Sequence, residues 1–441
     1  MSIFSRPHTH SSRKIGPNHP LAGKVVYVPT MGEGSPEAFA AAFRWLGIQA
    51  QPTPPSDLRT RELGGKFTSG DECYPAKVTV GDFMRVIEQP DFSATRSAFF
   101  MPTAEGPCRF GQYTPYLRKI LRDAGYGNVQ VVAPSSRNGY AELGDIAGPF
   151  MRAAWRALVA ADTLHRALLK TRPYETTPGA ADKVFAESMA DMVTTIENSC
   201  ADPGCQLNSM VESVTRGRER FRRVPALYDR EIPQIGVVGE IFCRLNTFSN
   251  EDLIRKLESY GAEACLSHIT EWVGYTNAEE KRKLHLTGRN VTIAMGKAYL
   301  RSHVQHADEH ALIAPFAKDF EGYEEPPIEE ILELAWPYLP SGGALGEMVL
   351  SVGKAAYLAK HGADGIIDIS PFTCMNGIVT EAIYPKLSQA YAGIPIRNFY
   401  FDGTQSDLDR DLGIYMELAR SYREKKPFKR QFPAYFAQAG A

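Results

Sequence analysis

The 441-residue sequence predicts an α/β protein with two parallel-sheet domains joined by a helical segment. Three observations predict it. Short apolar runs alternate with helical spacing over residues 24–145. Between 146 and 230 the chain carries long helical patterns without strand signals. Alternation then returns over 231–425. Strands that alternate with helices favour a parallel sheet covered on both faces.

The elements follow in order. "KVVYVP" (24–29) reads as a buried strand and "SPEAFAAAFRWLG" (35–47) as the helix after it, with Ser35 placed to cap it and Pro36 in its first turn. "ELGGKFTSG" reads as a loop; its Gly-Gly-Lys lacks the spacing of a phosphate-binding G-x-x-x-x-G-K-[ST]. A helix starts near Cys73 in "CYPAKVTVGDFMRVIEQ". "SAFFMP" (97–102) and "NVQVVAP" (128–134) are strands flanking the helix "QYTPYLRKILRDAG". The connector holds "AGPFMRAAWRALVAADTLHRALLK", "AADKVFAESMADMVTTIEN" and "LNSMVESVTRGRERFRR".

"QIGVVGEI" (234–241) opens the second domain, followed by "NEDLIRKLESYG", which Asn250 caps, and a short strand in "AEACLSHITEW". Then come the helix "GEMVLSVGKAAYLAKHG", the strand "DGIIDIS", the helix "VTEAIYPKLSQAYAG", the strand "IPIRNFYF" and the helix "SDLDRDLGIYMELARSY". Residues 1–23 read as a flexible arm, whose "HTH" is a solvated tail rather than a metal site. Residues 426–441 read as a C-terminal tail, with "YREKKPFKRQF" as a solvated run.

Composition narrows the functions. A formal net charge of −2 gives no attraction to nucleic acid or an anionic membrane. No stretch approaches the roughly 18 apolar residues of a membrane span, and the first residues lack the apolar core of a secretory signal. Seven cysteines, odd in number and widely spaced, argue against a disulfide framework and for a reducing, cytoplasmic setting.

Cys73, Cys108 and Cys374 carry the functional argument. Cys108 and Cys374 each follow a strand and precede a helix, the place where ligand sites form in open α/β sheets. Cys73 starts a helix, where an anion is favoured and thiolate pKa is lowered. Three such thiols suit an iron–sulfur cluster between the domains with one iron left open, a three-cysteine zinc site with an open fourth position, or three unrelated buried thiols.

Other residues are weighed alongside. Cys200 and Cys205 in "ENSCADPGCQLN" suit a metal half-site, a redox pair or a plain loop. Cys243 either approaches the cluster or packs behind a loop, and Cys265 reads as core. His268 or Glu271, beside Trp272, is an acid, base or cluster neighbour, or structural. "TMGEGSPE" and "SGGALGE" (341–347) are glycine loops that hold phosphate or nothing. Lys77, Arg109 and Asn376 tune the site or solvate its loops.

"GDECYPAK", "GPCRFGQY", "GEIFCRLNTFSN", "GADGIIDISPFTCMNGIVTEAIYP" and "IPIRNFYFDGTQSDLDRDLG" together resemble the 2-hydroxyacyl-CoA dehydratase superfamily, more closely its activase-related branch. The resemblance spans about residues 20–425. It implies two flavodoxin-like or Rossmann-like domains and a [4Fe–4S] cluster ligated by Cys73, Cys108 and Cys374. It implies dehydration or ring reduction on an acyl-CoA by radical chemistry, a separate ATP-dependent activase as electron donor, oxygen sensitivity and pairing as a homo- or heterodimer. The alternative is a non-catalytic scaffold or binding protein bearing a cluster or zinc. The chain lacks the activase's own nucleotide motifs, so an activase would be another chain.

Overall fold

The computed structural model describes residues 15–103, 106–134, 141–228, 231–288, 292–321, 325–340, 346–404, 407–427 and 430. Its first part runs β1 (Val25–Val28), α1 (Ser35–Trp45), β2 (Gln49–Pro52), α2 (Leu58–Phe67), α3 (Tyr74–Ile87), β3 (Ser97–Phe100), α4 (Tyr113–Asp123) and β4 (Gln130–Val132). These four strands form a parallel sheet in the order β2-β1-β3-β4. Three helices follow: α5 (Ala147–Thr171), α6 (Ala180–Glu197) and α7 (Pro203–Phe221).

The second part runs β5 (Gln234–Gly239), α8 (Ile241–Leu245), α9 (Leu253–Ser259), β6 (Glu263–Leu266), α10 (Ile269–Leu286), α11 (Ile293–Ile313) and α12 (Ile328–Ala335). It continues through α13 (Met348–Lys360), β7 (Gly365–Pro371), α14 (Met375–Ala390), β8 (Ile396–Phe401) and α15 (Leu408–Lys425). Its parallel sheet has the order β6-β5-β7-β8, which repeats the first. In each sheet the strand order reverses beside the first strand, between β1 and β3 and between β5 and β7. In open parallel sheets, ligand sites form at such a point, beyond the carboxyl ends of the strands. Among the described residues no helix is long and apolar enough to cross a membrane.

The helical segment is a shared layer of core. α5 packs on α1 of the first sheet and on β6 of the second. Phe150 of α5 lies 4.2 Å, ring to ring, from Phe43 of α1, which meets Phe100 of β3 at 5.5 Å. One buried cluster runs from Val26 and Phe43 through Phe150 and Leu164 to Ile235 and Ile367. Arg156 of α5, fully buried, forks onto Asp308 of α11 at 2.8 and 3.0 Å.

Several local readings need correction. "ELGGKF" lies in α2, not in a loop, because Asp57 and Thr60 close a capping box at its start. Ser35 is the first helical residue of α1; Gly34 takes the cap position. The cap of α9 is Asp252, in a left-handed conformation, not Asn250; Asn250 Oδ1 instead accepts from the first helical N–H, that of Leu253, at 3.3 Å. Leu21 is fully buried and the Ile15 N–H donates to the Leu46 carbonyl, so residues 15–23 lie against the first sheet rather than forming an arm. Lys426 is buried in a 2.7 Å ion pair with Asp364, and Arg430 meets Glu263 at 2.8 Å, so neither belongs to a solvated run.

The closest helix packing supports Cys73. A Cβ added at Gly81 of α3 would sit 2.0 Å from the Thr60 carbonyl oxygen of α2, and one at Gly64 2.3 Å from that of Lys77. Each helix thus meets its neighbour at a bare backbone. Gly81→Ala must force them apart, and we expect a loss of about 1–3 kcal/mol in urea unfolding. An unchanged urea midpoint would refute this packing account.

Candidate functional site

Cys73, Cys108 and Cys374 each occupy the residue immediately before a helical turn. Cys73 precedes α3, Cys108 precedes a 3-10 turn (Arg109–Gln112) that leads into α4, and Cys374 precedes α14. Their backbones match: φ is −65°, −67° and −68°, and ψ 152°, 135° and 127°. The extended cap conformation aims each side chain back over free backbone N–H groups. The Phe110 N–H reaches Cys108 Sγ at 3.5 Å; the amides of Gly377 and Asn376 act on the Cys374 thiol and lower its pKa, without a side-chain cap bond. Thr373, just before Cys374, holds φ at +63°, a costly conformation for a β-branched residue.

Glu240 is common to all three cysteines. It follows β5 as the cap of α8, at the reversal point of the second sheet, and its charge raises Cys73, Cys108 and Cys374. Gly239 places it there: φ is +116°, and a Cβ would lie 2.1 Å from the Ile369 carbonyl oxygen. Glu240 accepts from the Cys243 N–H at 2.9 Å, and Glu347 accepts from the Ile241 N–H at 3.2 Å. The two carboxyls therefore share the first turn of α8. Burial, then the charge of Glu240, pushes Glu347 up to about 8. Cys243 is fully buried here and feels Glu240, Cys374 and Cys73.

The thiols behave differently from the sequence expectation. Desolvation by the surrounding loops raises all three, Cys108 to about 11 although its residue is exposed, and Cys374 to about 12, and outweighs the amides that would lower them. Desolvation is larger here than the helix-start effect. Cys73 Sγ also lies 2.5 Å from the Tyr113 hydroxyl.

The surrounding loops are clamped. Arg109 donates to the Asp71 carbonyl and Lys77 to the Gly70 carbonyl, each at 3.0 Å, so both hold the turn before Cys73. Glu72 accepts from the N–H groups of Ser69 and Gly70 and from the Tyr116 hydroxyl. Burial opposes its charge, but these hydrogen bonds prevail and hold its carboxyl down at about 2. Asn376 is buried, and among the described residues its Oδ1 has no hydrogen-bond partner.

The two halves are tied beside the site. Asn246, which ends α8, donates to the Thr30 carbonyl at 2.8 Å and to Ser56 Oγ at 3.2 Å. Arg61 donates to the Gly403 carbonyl at 2.8 Å. Ser56 and Thr60 in turn donate to Asp82 at 2.8 and 2.7 Å. Burial pushes the Asp82 carboxyl up to about 7, with both hydroxyls only partly offsetting it. The folded state thus binds this proton more tightly than the unfolded chain. The contribution is complete below the unfolded pKa of about 4 and is lost as pH rises through about 7. Asp82→Asn should therefore gain about 2 kcal/mol relative to wild type between pH 5 and pH 8. Urea unfolding at both pH values checks this; an equal difference at both would contradict it.

The remaining candidates fall elsewhere. Cys200 and Cys205 are joined in a disulfide, which agrees with the redox-pair alternative and not with the metal half-site, and is one bridge where no disulfide framework is expected. Asp202 holds that turn by accepting from the Cys205 N–H at 2.8 Å. Cys265 is half-buried on the edge strand β6, so it is not simply core. Glu271 is in a buried ion cluster with Lys354, and Trp272 packs beside Ile331 and Leu350. The loop "TMGEGSPE" is covered: Met189 would lie 2.8 Å from a Cβ at Gly34, and Leu245 backs Gly32. Residues 341–345 of "SGGALGE", and "HTH", lie outside the described residues.

The sequence matches no family model and no curated protein significantly. Among the described residues no three His, Cys, Asp or Glu side chains converge tightly enough for a single ion. The donor set fits a larger group: three thiols on separate loops, backbone amides beside them, and Asn376 Oδ1, which has no partner among the described residues. A cubane takes its cysteines at different corners and needs no such close convergence.

Proposed function

We propose that the chain holds a [4Fe–4S] cluster on Cys73, Cys108 and Cys374 between its two sheets. In this reading it works in an ATP-activated, low-potential reductive system like those of the 2-hydroxyacyl-CoA dehydratase superfamily. A separate ATP-dependent activase supplies the electron, and an acyl-CoA or similar small molecule is the substrate. The observation that carries the reading is the matched backbone of three cysteines, each heading a helical turn on a separate loop, whose pKa values the charge of Glu240 raises in common.

When bound, such a cluster supplies a one-electron reductant with one iron not held by cysteine. The chain supplies the rest. Glu347, near 8, keeps a proton on its carboxyl at neutral pH, because two buried carboxyls sharing one helix turn do not both ionise readily. That proton is available to a substrate that gains an electron. Arg109, Lys77 and Glu72 fix the turn carrying Cys73, and Asn246 fixes the distance between the halves.

The test is anaerobic reduction of the reconstituted protein by an activase of this superfamily, with ATP and a chemical reductant, followed by electron paramagnetic resonance. Reduction that requires both activase and ATP supports the reading. Cluster-loaded protein that no activase reduces would point to a scaffold that retains the metal site alone.

A further inference from the structure

The bridge between Cys200 and Cys205 lies outside the proposed cluster site, and the cluster reading gives it no task. It spans the turn from α6 to α7. Cys200 follows the end of α6, and Cys205 is the third residue of α7. Their Cα atoms are 6.1 Å apart.

The turn is held without the bridge. Asp202 caps α7 by accepting from the Cys205 N–H at 2.8 Å. On the other side, the Ser199 carbonyl accepts from the Trp45 indole N–H of α1 at 3.1 Å. The Ser199 hydroxyl accepts from the Gln206 side-chain amide, also at 3.1 Å. Arg156 of α5 donates to the Pro203 carbonyl at 2.7 Å and to Gln206 Oε1 at 3.1 Å. Both ends of the closed loop are thus fixed to α1 and α5 by hydrogen bonds that owe nothing to the sulfurs. A bridge closing so short a loop also removes less freedom from the unfolded chain than one closing a long loop. Neither feature marks a structural staple.

The surroundings admit a reactant. Ala201, Asp202, Pro203 and Gly204 are exposed, and both cysteines are half-buried. The other five cysteines are free, so the bridge is isolated. In chains that keep their thiols reduced, an isolated bridge is usually transient and redox-responsive.

We propose that Cys200 and Cys205 are a reversible dithiol–disulfide pair, a modification site that a dithiol opens and an oxidised thiol closes. In opening, one thiolate of the dithiol attacks a sulfur of the bridge, forms a mixed disulfide and releases the other cysteine as a thiolate. The second thiol of the reductant then attacks its own partner sulfur in the mixed disulfide and releases the first cysteine. The reductant leaves as a disulfide, and Cys200 and Cys205 have gained two electrons and two protons. Closing by oxidised glutathione passes through a mixed disulfide in the same way and releases two reduced glutathiones. The change stays within the turn, because the hydrogen bonds that place it survive in both forms. This response is separate from the one-electron chemistry proposed for the cluster and does not depend on it.

The full chain is equilibrated without oxygen in glutathione buffers from fully reduced to fully oxidised, starting from both the bridged and the open protein. Acid quench and alkylation follow. Cys200 and Cys205 are read from the tryptic peptide 184–216, which holds no other cysteine, so the cluster cysteines do not interfere. The expected result is one transition from fully bridged to doubly alkylated peptide, with the same midpoint from both starting forms and unchanged circular dichroism. In Cys205→Ser, Cys200 should instead take up one glutathione as a mixed disulfide in the oxidised buffers. A peptide that stays bridged in every buffer and opens only in urea, or a loss of helix on opening, would make the bridge structural and overturn the proposal. A peptide doubly alkylated in every buffer would overturn it as well.

Discussion

Replacing any one of Cys73, Cys108 and Cys374 by alanine is expected to remove nearly all bound iron and sulfide from the anaerobic protein. Each of the three comes from a different loop, so no neighbouring cysteine on the same turn can replace it. Two remaining thiolates leave two iron corners to solvent, and such a cluster is lost on handling. Cys265→Ala is the control, because Cys265 lies on the edge strand of the second sheet, in a separate cavity. Iron and sulfide assays, with circular dichroism to verify folding, check the result. Retention of iron in all three single variants would remove these residues from the site. The substitutions themselves should cost little stability, since Cys108 is exposed and the other two are only half-buried.

Lys354→Met is expected to lower stability by about 3–5 kcal/mol at neutral pH. Its ammonium is only 7% exposed and lies between Glu271, 3% exposed, and Glu325, 13% exposed. Ser267 also donates to Glu271, at 3.2 Å, so that carboxyl is fixed in place. Methionine preserves the volume but, among the described residues, leaves Glu325 with Arg166 as its ion-pair partner and Glu271 with no ion pair. Breaking a buried pair from one side costs more than deleting both sides, because it strands a charge. Adding Glu325→Gln should therefore recover part of the loss, which identifies stranded charge rather than lost packing as the cause. Chemical unfolding of the single and double variants measures both effects. A loss below about 1 kcal/mol in the single variant would mean that water or protonation relieves the carboxyls.

The helix-start positions of the three cysteines were legible because each combines two local signals: a polar loop behind it and helical spacing ahead. Pro75, one residue into α3, sharpens that reading. Glu240 and Glu347 were not legible. A lone glutamate after an apolar run looks like a strand end at the surface. Only the strand order brings β5 beside β7 and the start of α8 beside the residue before α13.

The α/β class was readable from alternation, and the structure has that class in two sheets of matching order. The edge strand β2, with the sequence "QAQP", gave no apolar run because it is largely exposed on one side. The crossover from β6 to β7 hides α10, α11 and α12. Ile293, Tyr299 and Leu300 of α11 are exposed, which blurs the apolar stripe that would announce a helix. Lys426 and Arg430 look like tail residues by composition, yet find buried carboxylates more than 60 residues away in sequence, Asp364 and Glu263. Charge pattern alone carries no information about such long-range pairs. The thiol pKa values likewise turn on burial, which a single helix start does not reveal.

The measurement that tests the central claim most directly is the iron, acid-labile sulfide and zinc content of protein purified and reconstituted without oxygen. The account predicts about four irons and four sulfides per chain and no bound zinc. Neither iron nor sulfide after reconstitution, or one tightly held zinc in their place, would contradict it.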